Sequence, residues 1–105
     1  MANGFISQLD LTYISKNVDY TLLAFDCFVA VDCSGGVKII TLPTAVDREG
    51  RVYIIKKVDS SGNAVTVTPS GGQTIDGAAN YSLASQYKYV SLISNGANWL
   101  VIGNN

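Results

Sequence analysis

The sequence contains no histidine, which removes the commonest general base and metal ligand and, with them, every Ser/His or Cys/His arrangement. The carboxylates Asp10, Asp19, Asp26, Asp32, Asp47, Glu49, Asp59 and Asp76 remain. Most of them stand at the ends of alternating stretches, where aspartate ordinarily caps or shapes a turn. They leave open a glycosidase-like acid pair and a calcium loop in "DSSGN", although the EF-hand spacing is absent. The loop "PSGGQTIDG" looks like a phosphate cradle but has no Lys and Ser or Thr after its glycines and no helical pattern to follow. Pro69 instead ends a strand, Gly71 and Gly72 allow a positive φ, Ile75 drops into the core, and Asp76–Gly77 make a second tight turn.

Cys27 and Cys33 are the only cysteines. "CFVAVDC" reads as one extended strand holding their Cα atoms on the order of 20 Å apart, where a disulfide tolerates less than about 7 Å. Two free thiols are expected. The basic residues Arg48, Arg51, Lys56 and Lys57 are interleaved with Asp47, Glu49 and Asp59 and read as a mixed, solvated face. The rings of Tyr13, Tyr20, Tyr53, Tyr81, Tyr87, Tyr89 and Trp99 offer surfaces on which a sugar could stack. Trp99 follows the turn "NGAN" into a closing strand and is assigned to the core or to the underside of the last hairpin. Tyr81, Tyr87 and Tyr89 are left as candidate ligand-facing aromatics.

The elements that must position these residues are strands. Alternation and β-branched residues run through the chain, with no convincing helical spacing of apolar residues. Strands are expected over residues 20–24, 28–32, 37–42, 51–58, 64–68, 81–83, 87–94 and 99–102, separated by "CSGG", "PTAVDREG", "DSSGN", "PSGGQTIDG" and "SNGAN". Val90 and Leu92 share one face of their strand and Tyr87, Tyr89 and Ser91 the other. Val65 and Val67 likewise oppose Thr66 and Thr68. Half-buried strands of this kind predict an all-β, antiparallel sandwich or jelly-roll-like domain.

The 105 residues suit one domain, and the chain is 48% hydrophobic but only 14% charged, against about 25% charged in an ordinary soluble domain. Such a polar, uncharged, tyrosine-rich exterior fits a component of an assembly. A net charge of −1 provides no field to steer the chain onto nucleic acid or an anionic membrane. "MANGFISQLDL" has no basic leader and its apolar run is interrupted, so neither a secretory signal nor a spanning helix is expected.

From Tyr20 onward, "VKIITLPTA", "GRVYIIKKVDSSGNAVTVTPSGGQTIDGA" and "YVSLISNGANWLVIG", in that order, resemble a β-rich module met in phage virion proteins: tail fibres, head fibres and small capsid-surface proteins. The resemblance implies a trimerising structural or receptor-facing unit. Residues 1–19 carry no heptads or collagen-like repeat. They read as a lead-in and docking arm, with Phe5, Ile6, Leu9 and Leu11 as its partner-facing side chains, and residues 20–105 as the β domain. The expectation is a homotrimeric capsid decoration, cementing or head-fibre protein, made in the host cytoplasm and resident in the virion. Its partners would be further copies of itself and the major capsid protein or another virion protein. A receptor- or carbohydrate-binding fibre tip, with a host glycan as ligand, is the alternative. No catalysis and no cofactor are expected.

Overall fold

The computed structural model describes residues 10–105. Nine strands are present among them: β1 (Tyr13–Lys16), β2 (Tyr20–Thr21), β3 (Phe28–Val31), β4 (Lys38–Thr41), β5 (Val52–Lys57), β6 (Val65–Thr68), β7 (Tyr81–Leu83), β8 (Tyr89–Ser94) and β9 (Trp99–Asn104). They form a five-stranded sheet in the order β1-β3-β5-β8-β9 and a four-stranded sheet in the order β2-β4-β6-β7. No helix occurs among the described residues, so none is present that could cross a membrane.

The all-β expectation holds; the antiparallel one does not. From β1 to β6 the chain changes sheet at every strand, so each strand pairs in parallel with the strand two before it: β1 with β3, β3 with β5, β2 with β4 and β4 with β6. Antiparallel pairing begins only where β7, β8 and β9 close the two sheets. A short Gly- or Asp-rich break between alternating strands serves equally well as a hairpin or as an arch across the core. "CSGG", "PTAVDREG" and "DSSGN" are arches. "SNGAN" is a true hairpin, with the Asn95 N–H donating to the Asn98 carbonyl and Gly96 at φ 94°.

The inward side chains of both sheets meet in one core. Val29, Val31, Tyr53, Ile55, Val90, Leu92 and Trp99 come from the larger sheet and Ile40, Val65, Val67 and Leu83 from the smaller. Tyr53 and Trp99 pack with ring centroids 5.6 Å apart at a tilt of 55°, a favourable edge-inclined geometry. β1 lies within the stretch read as an arm: Ile14 packs against the core, and Tyr13 on the outer face stacks on Phe28 at 5.6 Å. Leu11 is exposed, while Phe5, Ile6 and Leu9 lie outside the described residues. β3 sits between the two cysteines, which are both free.

Candidate functional site

The loop "PSGGQTIDG" is a structural turn. Pro69 follows β6 directly, Gly71 has φ 56°, Ile75 is buried, and Asp76 and Gly77 take φ 49° and 82°. Gln73 accepts from the Ala45 N–H at 2.9 Å and donates to the Thr44 hydroxyl at 2.8 Å, while Thr74 donates to Asn98 at 2.9 Å. Its polar groups are spent on neighbouring loops rather than aimed at a ligand.

Lys57 departs from the solvated face expected of the basic residues: it is wholly buried. In β5 it follows Tyr53 and Ile55 on the inward side, so alternation carries it into the core's end. Its ammonium donates to the Asp59 carboxylate at 2.9 Å and to the carbonyls of Asp59 and Ser61 at 2.8 and 3.0 Å. Asp59 Oδ1 accepts the Cys33 N–H at 2.7 Å and the Cys33 thiol at 3.3 Å; Oδ2 accepts the N–H and hydroxyl of Ser61. Asn63 Nδ2 donates to the Cys33 carbonyl at 2.9 Å. Burial disfavours the Asp59 anion, but the Ser61, Cys33 and Lys57 donors outweigh it and hold the carboxyl far below its ordinary range. Burial also pulls Lys57 down, and its Asp59 and Cys33 contacts together overcome that pull and raise it. "KKVDSSGN" is therefore a clamp joining the β3–β4 and β5–β6 arches, and the lysine ammonium stands where a calcium loop would need its cation.

The loop from Leu22 to Cys27 is anchored as firmly. Asp26 accepts from the Leu23 N–H at 2.8 Å and the Tyr20 hydroxyl at 2.7 Å. That hydrogen bond, with lesser help from burial, pushes the Tyr20 phenol up to about 12. Arg51 donates to the carbonyls of Ala24 at 2.9 Å and Asp26, and Tyr53 donates to the Leu23 carbonyl at 3.0 Å. The loop nonetheless presents Leu23, 59% exposed, and Phe25, 85% exposed, to solvent.

The outer face of the five-stranded sheet carries the tyrosines. Register places Ser15, Ala30, Lys56 and Tyr89 in one row across β1, β3, β5 and β8. Asn17, Asp32 and Val58 follow on the same side at the carboxyl ends of the three parallel strands. Together with Ser15, Lys16 and Ala30 they line a depression of about 300 Å³. Tyr87 is not part of that lining but lies beyond its Val58 side, where its N–H donates to the Lys57 carbonyl at 2.8 Å and Gln86 Nε2 donates to the Val58 carbonyl at 3.2 Å. Tyr87 is not in the strand assigned to it: it turns at φ 68° just before β8 and is 56% exposed. The Lys56 ammonium lies 5.5 Å from the centre of the Tyr87 ring and 6.0 Å from that of Tyr89. The structure thus brings two of the three candidate tyrosines together around a lysine.

Tyr81 is elsewhere. It lies in β7 of the smaller sheet, half-buried against the core, and its hydroxyl accepts from Asn104 at 2.7 Å. The sequence reading placed Lys56 on a mixed, solvated face and did not single out the Ser15–Asn17 stretch; that Lys56 stands beside Tyr89 is visible only once β5 and β8 are in register. Compared with known protein families and with curated proteins, the chain finds no match.

Proposed function

We propose that this chain is a structural protein of a phage virion, a capsid decoration, cementing or head-fibre protein acting as a homotrimer built from two-sheet sandwiches. The observation that carries the reading is the Leu23–Phe25 loop. A leucine and a phenylalanine stand in solvent on a backbone fixed by Arg51, Asp26 and Tyr53. Apolar groups held in place before contact lose little conformational freedom when a partner covers them. Each is worth roughly 1.5–3 kcal/mol when fully buried. The sparse charge and the likeness of residues 20–105 to phage virion modules supply the particular setting. The mechanism is burial of such surface across subunit and capsomer joints, which favours the assembled state by binding it better than the unassembled one. Phe5, Ile6, Leu9 and Leu11 are assigned as a second contact with the capsid.

The test has two parts. Light scattering of the isolated protein is expected to give three times the chain mass of 11.1 kDa. Mass spectrometry of purified particles from the source phage is expected to find the chain in stoichiometric amounts, with Phe25→Ser reducing its occupancy. A monomer that is absent from particles would refute the reading.

A further inference from the structure

We propose that the depression on the outer face of the five-stranded sheet binds a saccharide carrying a carboxylate, such as a uronic or sialic acid residue of a glycan. The site goes beyond the assembly role above and does not depend on it. The floor is made of small side chains, Ser15 and Ala30, with Ala30 only 3% exposed. A space of about 300 Å³ lies at the small end of the range for ligand sites, on the scale of one sugar ring with bridging water. It is open to solvent along the sheet, as a glycan that continues beyond one residue requires.

Three features select the ligand. Tyr87, beyond the Val58 side of the depression, offers an exposed ring on which the apolar face of a pyranose can stack. Its backbone lies in the left-handed region at φ 68°, where a bulky residue persists only if its surroundings hold it. They do so here through the bonds from the Tyr87 N–H to Lys57 and from Asn105 Nδ2 to the Tyr87 carbonyl at 3.1 Å. Lys56 is the second feature. It makes no ion pair among the described residues, where the one salt bridge is that of Lys57 with Asp59. Its ammonium sits between two aromatic rings, leaving donors for a ligand carboxylate. At the other end, Asn17 and Asp32 are placed to hydrogen-bond sugar hydroxyls. Ser34 donates to Asp32 at 2.9 Å and keeps it ionised, so Asp32 repels a ligand carboxylate. Lys16 also lines that end, but its ammonium is held over the Tyr20 ring at 4.2 Å, which leaves Lys56 as the cation for the carboxylate and turns the hydroxyls toward Asp32 and Asn17.

The test is a titration of the folded protein followed by amide NMR. The probes are methyl β-D-glucuronide and the methyl glycoside of N-acetylneuraminic acid, with methyl β-D-glucoside as the neutral control. Shifts are expected at the amides of Ala30, Val58 and Tyr87, with at least one acidic probe binding about tenfold tighter than the glucoside, a difference of about 1.4 kcal/mol. Lys56→Gln, on an exposed face, should bring the acidic probe to the level of the neutral one and leave the glucoside unchanged. Tyr87→Ala should weaken both. The spectra of the variants report directly that each is folded. No shift at these amides with any probe, equal affinity for acidic and neutral probes, or acidic binding untouched by Lys56→Gln would each overturn the proposal.

Discussion

Replacing Lys57 by methionine keeps an unbranched apolar stem and removes the ammonium, with its charge and its donors. Three good hydrogen bonds vanish, leaving the carbonyls of Asp59 and Ser61 short of a donor and the Asp59 carboxylate, 9% exposed, without its cation. Breaking a buried pair from one side costs about 3–5 kcal/mol. Asp59 keeps the donors of Cys33 and Ser61, which puts the expected loss near the lower end, about 3 kcal/mol. In a domain of this size that corresponds to a fall in Tm of roughly 12–24 °C. Urea unfolding of Lys57→Met, Asp59→Asn and the double variant measures it. The double variant should recover at least about 1 kcal/mol of the summed losses, because it no longer strands a charge.

The pH dependence has a definite sign. Asp59 is depressed below its ordinary value of 3.8, so its contribution is complete above that value and lost as pH falls through the lower folded value. Lys57 is raised above 10.5, so its contribution is present below that value and lost only as pH climbs through the higher folded one. The pair should leave stability flat across the neutral range, with an acid-side loss that shrinks in Lys57→Met. A loss under about 1 kcal/mol in Lys57→Met, or additivity within about 0.5 kcal/mol, would refute the clamp.

Other outcomes follow from the same geometry. Cys33 is fully buried and its thiol is pushed up by that burial and by Asp59, so in the native protein Ellman's reagent should label Cys27 well before Cys33. Both should label after unfolding without reduction, and a native mass two units below the reduced value would contradict this. Tyr87→Gly should be more stable than Tyr87→Ala by about 1 kcal/mol in urea, since glycine occupies the left-handed region without a Cβ penalty; equal stabilities would count against strain at that residue. Asp26→Asn should bring the Tyr20 phenol down from about 12 toward 10, as read by ultraviolet titration of the phenolate, and an unmoved titration would refute the assigned hydrogen bond.

What the sequence revealed was mostly local. Pro69 after β6, Ile75 and Trp99 in the core, the half-buried faces of β6 and β8 and the "NGAN" hairpin each depend on a few neighbouring residues. The winding was not legible, because alternation fixes which face a side chain takes but not which sheet the next strand joins. Tyr81 was grouped with Tyr87 and Tyr89 by nearness in sequence, yet β7 and β8 belong to different sheets. Lys57 was legible in principle: it shares the parity of Tyr53 and Ile55, and the oxygens of "DSS" lie just beyond it. The composition of that stretch, rich in charge of both signs, concealed the signal. β1 was missed because its four residues have a parallel partner far along the chain and no turn to announce them.

The alternation of the first six strands between sheets also constrains how the chain can reach its native state. Tyr13 pairs with Phe28, Phe28 with Ile54 and Val52 with Ile93, so the larger sheet cannot be laid down without the smaller one being threaded between its strands. Apart from the β8–β9 hairpin, no consecutive strands in the described chain are joined by a short hairpin turn that could nucleate locally. Loop closure must come before most of the contacts that reward it, which places such a chain among slow folders, on the scale of milliseconds to seconds. A nascent chain stopped before β8 would hold β5 with one edge unpaired, an invitation to join strands from another copy. Synthesis through the final hairpin is therefore the step that commits each copy to its own fold.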